Sequence, residues 1–176
     1  MSQSRGEDAK PADSAPALAQ GRFAGREDFR QLVRDALECA ACEGWPELVL
    51  SDPDFRDWPL GERAVEQSLQ AWARAGRQCT VLAADFGALQ RQHARFVQWR
   101  CTWSHIVTCR KAASPQPQEV PSMLWSPGWV LHRIDVPRCV GVAGREPDRR
   151  VLLRQELDEW LLRRSAPGFP ATTLGL

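Results

Sequence analysis

Apolar positions along the chain alternate between two rhythms, and this alternation predicts a layered α/β fold. An amphipathic helix ended by Gly44 is predicted by apolar residues at three- and four-residue spacing: Phe29, Leu32, Val33, Ala36, Leu37 and Ala40. Short apolar runs predict strands at 47–50, 79–85 and 106–109. Between them, a stripe opened by Pro59 and closed by Gly76 predicts a second helix, and residues 86–103 predict a third.

The second half of the chain continues the same pattern. A Pro-rich loop at 112–122 precedes strands around 129–135 and 138–143, and a last helix is predicted from about 147 to 164. We therefore predict an α/β domain whose sheet is mostly parallel, covered by helices on both faces and followed by a C-terminal antiparallel hairpin. The polar, Pro/Ala-rich residues 1–20 are predicted to be a disordered tail, with one domain over 21–176.

Composition, charge and cysteine spacing argue against several classes of partner. The 176 residues carry a net charge of +1, so no global field attracts nucleic acid or an anionic membrane. No apolar run approaches the roughly 20 residues of a membrane span, and the N-terminus has no secretory h-region, which predicts a cytoplasmic protein. Among the six cysteines only Cys39 and Cys42 form a CxxC pair, late in a helix; we expect reduced, buried cysteines, no metal and no cofactor.

The segment 126–150 predicts a strand, a tight turn, a strand and a helix. This layout resembles the part of phospholipase D-type domains that carries the catalytic residues. Those enzymes need a His-x-Lys followed by an Asp, but counting back from Asp135 puts Gly128 and Val130 at the His and Lys positions. The resemblance thus implies one half of a phospholipase D-like fold without its chemistry. No catalytic residue is assigned, which favours a protein that is not an enzyme.

Four longer segments resemble a proteobacterial domain family without an assigned activity. Members of that family occur alone or C-terminal to GNAT-type acetyltransferase domains. The segments are DPDFRDWPLGERAV (52–65), HARFVQWRCTWSH (93–105), LWSPGWVLHRID (124–135) and FPATTLGL (169–176). This resemblance implies the same phospholipase D-like fold and brings no ligand or reaction with it.

Carboxylates follow two of the predicted strands. Asp52, Asp54 and Asp57 come after the first strand, and Asp85 ends the second. Ligands of open α/β sheets bind beyond the carboxyl ends of the strands, so these groups could hold Mg²⁺ or a cationic ligand. The simpler interpretation is that they stabilise turns and helix caps.

The hairpin supplies the remaining candidates for ligand binding, Trp125, His132 and Arg133. His132 and Arg133 are adjacent on a strand, so their side chains point to opposite faces and at most one enters the cleft. Trp125 could line a small apolar pocket at the turn.

The mixed basic and aromatic tract at 91–105 suits stacking on bases. Its aromatic residues nevertheless share one helical face, which favours packing against the sheet.

Three functions remain open at this stage. The first is a non-catalytic phospholipase D-like module that binds a protein partner or a phosphorylated ligand. The second is a metal-dependent phosphohydrolase that uses Asp52, Asp54 and Asp85, and the third is a weak nucleic-acid binder. A single phospholipase D-like half also predicts an isologous homodimer around strands 124–143, with Trp125 and Trp129 near the pairing edge. The alternative is a monomer in which these Trp pack under the Pro-rich loop and the C-terminal tail.

Overall fold

A computed structural model describes residues 14–170 of the chain. It contains five α-helices and eight strands within that range. The helices are α1 (Arg26–Glu43), α2 (Arg63–Trp72), α3 (Gly87–Gln92), α4 (Ala94–Thr102) and α5 (Pro147–Arg163). The strands are β1 (Gly21–Ala24), β2 (Glu47–Asp52), β3 (Gln78–Ala83), β4 (Val107–Ala112), β5 (Ser122–Trp125), β6 (Val130–Asp135), β7 (Val140–Gly144) and β8 (Ser165–Pro167). None of the helices in this range is both long and apolar enough to cross a membrane.

All eight strands form one sheet, in the order β1-β7-β6-β5-β2-β3-β4-β8. The prediction of a mostly parallel sheet is wrong. Only the pairs β2–β3 and β3–β4 are parallel, while the other five pairings are antiparallel. The reason is β5, a strand that the sequence did not predict: it begins at the last residue of the predicted Pro-rich loop and inserts antiparallel between β2 and the β6–β7 hairpin. The hairpin itself is confirmed.

Helices cover both faces of the sheet, as predicted. Leu48 and Leu50 of β2 point into the larger core, which includes the buried faces of α1, α2 and α4. Val49, between them, points to the opposite face and packs with Leu153 and Leu157 of α5. Because both faces are covered, β2 and β3 read as nearly continuous apolar runs rather than as alternating ones.

One local prediction needs correction. The predicted helix over 86–103 is broken at His93, which lies between α3 and α4 with non-helical dihedral angles. Residues 14–20, which fall within the predicted tail, have no regular secondary structure, and Ala15 and Leu18 among them pack against the larger core. The Trp129 indole, fully buried, donates a hydrogen bond to the Ala19 carbonyl at 3.1 Å. Residues 1–13 of that tail lie outside the described residues.

Candidate functional site

A buried ion pair joins the two halves of the predicted site. Arg133 of β6 and Asp52 at the end of β2 are 2% and 1% exposed, and the distance from Arg133 Nη2 to Asp52 Oδ2 is 2.7 Å. Ser122 of β5 bridges them: it accepts from Arg133 Nε at 2.9 Å and donates to Asp52 Oδ2 at 2.6 Å. The Phe29 ring of α1 lies 4.4 Å from the guanidinium carbon and covers it. The pair is therefore enclosed rather than open to a ligand.

The same network fastens the loop at 53–62 to the sheet. Asp52 Oδ1 accepts from the backbone amides of Asp54 and Phe55, and Phe55 adopts a left-handed φ of 60°. Arg133 Nη1 contacts Asp57 Oδ2 at 2.9 Å on the far side of the loop. A buried guanidinium whose donors meet several acceptors is satisfied, so this network fixes the loop's path.

The neighbouring carboxylates stabilise the charged form of Arg133. Burial alone would lower the pKa of Arg133, but the Asp52 carboxylate and the hydrogen bonds to Cys139, Asp52 and Asp57 outweigh it and raise that pKa. Arg133 therefore stays charged, and no proton is available from it at neutral pH. The arrangement suits a structural ion pair and offers neither a general acid nor a base.

Asp54 and Asp85, two further carboxylates of the predicted cluster, cap their own turns. Asp54 Oδ1 accepts from the backbone amide of Arg56 at 2.9 Å, and Asp85 Oδ1 accepts from that of Gly87 at 2.9 Å. Within residues 14–170, no group of three or more His, Cys, Asp and Glu side chains is placed to hold a metal ion. The structure brings Asp52 together with Arg133, and it gives Asp54 and Asp85 the contacts of turn residues.

Trp125 and His132 lie on the other face of the sheet, away from the ion pair. Trp125 belongs to the core beneath α5, its indole donates to the Arg150 carbonyl at 2.9 Å, and the Arg154 guanidinium lies 4.8 Å from its ring. A cavity of about 340 Å³ opens beside it, with an almost wholly apolar lining that includes Pro127 and Val151. We call this cavity the α5 socket. His132 does not line it.

The basic and aromatic tract at 91–105 packs largely inward. Phe96 and Trp99 are buried in the larger core, and so is the Arg100 side chain. Arg100 Nε donates to Cys109 Sγ at 3.2 Å, and its Nη2 donates to the Phe169 carbonyl. The packing interpretation of this tract is thereby confirmed for Phe96 and Trp99.

A second cavity, which the sequence reasoning missed, lies between the 53–62 loop and the α3–α4 junction. Its volume is about 310 Å³, and Arg30, Arg56, Trp58, Glu62 and His93 are among its lining residues. We call it the polar cavity. The one signal for it in the sequence is the isolated His93 within the tract at 91–105.

His93 is buried and its ring is held by one hydrogen bond. Its Nε2 lies 2.8 Å from the Phe55 carbonyl, and because a carbonyl can only accept, Nε2 carries the proton. Burial lowers the pKa of His93, the bond to Phe55 opposes this, and the nearby Arg30 lowers it further. The neutral ring therefore keeps a lone pair on Nδ1, which has no hydrogen-bond partner.

The stability of the protein should depend on His93 below neutral pH. The folded-state pKa lies below the ordinary 6.5, so the unfolded state binds more protons and stability is lost as pH falls from about 6.5 through the folded pKa. His93→Gln, which can still donate to Phe55, should flatten this slope. Urea unfolding from about pH 7.5 to 5 measures it, with exposed His105→Gln as the control. Equal slopes for wild type and both variants would contradict the assignment.

Comparisons with known proteins bear on the fold alone. A search of protein-family models and a search of curated proteins both gave no match. Among solved structures, the fold is similar to that of TrmBL2, described as an archaeal chromatin protein with a novel mode of DNA binding, at 14% identity and a TM-score of 0.59. The match covers 90% of this chain and 55% of TrmBL2, so this chain spans about half of that protein. The two share a mixed α/β fold; the DNA binding is a property of TrmBL2.

Proposed function

We propose that this chain is a non-catalytic binding module with a phospholipase D-like fold, and that its protein partner is a second copy of itself. The observation that carries the proposal is the outer face of α5. Four large apolar side chains of the described residues are exposed, and three of them lie on this helix: Val151, Leu152 and Leu162. Exposed apolar side chains gathered on one helix mark an interaction surface.

The outer face of α5 is complementary to itself. Val151 and Leu162 point in nearly the same direction on the helical wheel and are about 16 Å apart along the axis. Val151 lies at the rim of the apolar α5 socket, whereas Leu162 is an apolar knob with 80% of its surface exposed. If two copies of α5 pack antiparallel about a two-fold axis, each Leu162 meets the socket of the other copy.

This surface replaces the one predicted from the sequence. Trp125 and Trp129, expected near a pairing edge, are 8% and 0% exposed, and the strands that carry or flank them lie in the interior of the sheet. Trp129 packs under residues 14–20 rather than under the Pro-rich loop. Of the two Trp residues expected near the pairing edge, only Trp125 belongs to the proposed surface, because it lines the α5 socket.

The phospholipase D-like description is part of this proposal. It is supported by the order β2, α2, β3, α3–α4 and β4, followed by the β6–β7 hairpin and α5, although most strand pairings are antiparallel. Three of the four segments that resemble the proteobacterial family fall in the 53–62 loop, around α4 and in β5–β6. The fourth segment lies mostly in residues 171–176, outside the described residues.

The two other hypotheses have less support. The phosphohydrolase needs Asp52, Asp54 and Asp85 as metal ligands, but one is paired with Arg133 and the others cap turns. The nucleic-acid binder is supported by the fold shared with TrmBL2, but Phe96 and Trp99 of the stacking tract are buried.

Leu162→Asp should weaken self-association by about a hundredfold or more, because it puts a carboxylate into an apolar socket. Val151→Asp should do the same from the socket side. Ile134→Asp on β6 is the matched control, since Ile134 is also exposed and apolar but lies off α5. Sedimentation velocity over a concentration series measures the dissociation constant. If both α5 variants associate as tightly as Ile134→Asp, the proposed docking surface is wrong.

A further inference from the structure

The polar cavity concentrates buried polar atoms that have no partner. Five buried side-chain nitrogen atoms among residues 14–170 lack a hydrogen-bond partner, and three of them belong to residues that line this cavity: Arg30 Nε, Trp58 Nε1 and His93 Nδ1. Unpaired buried polar atoms are uncommon in folded proteins, because such atoms normally form a hydrogen bond with the protein, a water molecule or a ligand. Three around a single cavity indicate a binding site.

The free atoms at this site include both donors and an acceptor. Arg30 Nε and Trp58 Nε1 can only donate. His93 donates from Nε2 to Phe55, so its Nδ1 can only accept while the ring is neutral. A ligand that satisfies all three must therefore accept two hydrogen bonds and donate one.

The charge at the cavity favours an anion. The one carboxylate on the wall, Glu62, is already held by two hydrogen bonds from Arg34, at 2.7 and 2.9 Å. Arg30 shares an oxygen of Glu62 at 3.1 Å, and Arg56 reaches Asp54 only at 3.5 Å, with its side chain 66% exposed. Two guanidinium groups thus face the cavity with incomplete neutralisation, which is the arrangement that binds carboxylates and phosphates.

Gly61 brings the backbone close to the acceptor. A methyl group at this position would lie 3.1 Å from His93 Nδ1 and 2.8 Å from the Gln92 carbonyl oxygen. Any side chain here would cover the free lone pair. The buried network around Arg133 holds the loop that carries Trp58 and Gly61, so the site is formed before a ligand arrives.

We propose that the polar cavity binds a small oxyanion, a carboxylate or a phosphate, that carries a neighbouring hydroxyl group. The oxyanion accepts hydrogen bonds from Arg30, Arg56 and Trp58, and the hydroxyl donates to His93 Nδ1. The volume of about 310 Å³ lies at the lower end of ligand pockets, which suits a molecule of this size. This site is on the opposite side of the sheet from α5 and does not depend on self-association.

Isothermal titration of the full chain tests the proposal with matched pairs of probes. Glycerol 3-phosphate is compared with propyl phosphate, glycerate with propionate, and glycerol alone lacks the charge. We expect one hydroxylated anion to bind about tenfold more tightly than its hydroxyl-free analogue, and glycerol to give no heat. The pair that shows this difference identifies the anion as phosphate or carboxylate. If none of the anions binds at millimolar concentration, the cavity holds water only and the proposal fails.

Two variants test separately how the site recognises the hydroxyl group and how it recognises the anionic group. His93→Gln can keep the donor to Phe55 but loses Nδ1, and its own acceptor, the amide oxygen, does not take the position of Nδ1 when the amide nitrogen donates to Phe55. The hydroxylated anion should therefore bind about tenfold more weakly while its analogue is unchanged. Arg56→Gln should weaken both about tenfold, because it removes a charge. The control is Arg63→Gln, an exposed arginine that does not line this cavity.

Arg56 is exposed, so its variant tests the site even if His93→Gln does not fold, which circular dichroism reports. Anion binding that is the same in wild type, Arg56→Gln and Arg63→Gln would overturn the assignment. Failure of self-association would leave this result unaffected, and the two proposals are therefore tested separately.

Discussion

Arg133→Leu is expected to lower the free energy of unfolding by about 3–5 kcal/mol, because it leaves the Asp52 carboxylate buried without a counter-charge. Asp52 is 1% exposed and cannot recover hydration from solvent. The variant also removes contacts to Ser122 and Asp57, which frees the 53–62 loop. Urea unfolding at neutral pH measures the change.

Two further variants show whether the cost arises from the unpaired charge. Arg138→Leu is the control, since Arg138 lies on the same hairpin but its side chain is 82% exposed, and it should change stability by less than about 0.5 kcal/mol. Asp52→Asn in the Arg133→Leu background removes the unpaired carboxylate charge and should restore part of the lost free energy of unfolding. A loss in Arg133→Leu no greater than in Arg138→Leu would contradict a structural role for this ion pair.

Trp129→Ala is expected to destabilise the protein by about 3–5 kcal/mol, the usual cost of removing a buried aromatic side chain. Trp129 is fully buried between the sheet and residues 14–20, and its indole holds the Ala19 carbonyl. Trp129→Phe keeps most of the packing and loses the hydrogen bond, so its cost should be about 1–2 kcal/mol. Thermal and urea unfolding of both variants measure these differences.

The control for this pair is Trp103→Ala. Trp103 is only half-buried, and its indole bonds to the exposed side chain of Gln70. Its removal should therefore cost clearly less than that of Trp129. Equal costs at the two positions would mean that residues 14–20 do not cover Trp129 as described.

The sequence predicts the helices and strands that are long enough to show a repeating pattern of apolar residues. The stripe on α1, the apolar runs of β2 and β3, the β6–β7 hairpin and the span of α5 all match the predictions within a few residues. By contrast, β1, β5 and β8 have four, four and three residues, which is too short for an alternation to be recognised. Missing β5 changed the predicted topology, because this strand makes the sheet antiparallel beside β2.

The residues of the candidate site could be predicted from the sequence, but the contacts between them could not. Asp52 and Arg133 were both selected, yet their pairing joins residues 81 positions apart and depends on the insertion of β5, which carries Ser122. The alternation of His132 and Arg133 correctly placed them on opposite faces. The polar cavity could not be predicted, because it is formed by α1, the 53–62 loop and His93, which only the tertiary fold brings together.

The antiparallel pairing of α5 is tested most directly by disulfide formation between copies. Val151→Cys and Leu162→Cys are made separately in a Cys42→Ser background, because Cys42 is exposed. The account predicts that mild oxidation of the two variants mixed together gives a 151–162 cross-linked dimer, while each variant alone gives little, since like positions lie far apart in this pairing. Cross-linking that is as efficient in the separate variants as in the mixture, or none in either, would contradict it.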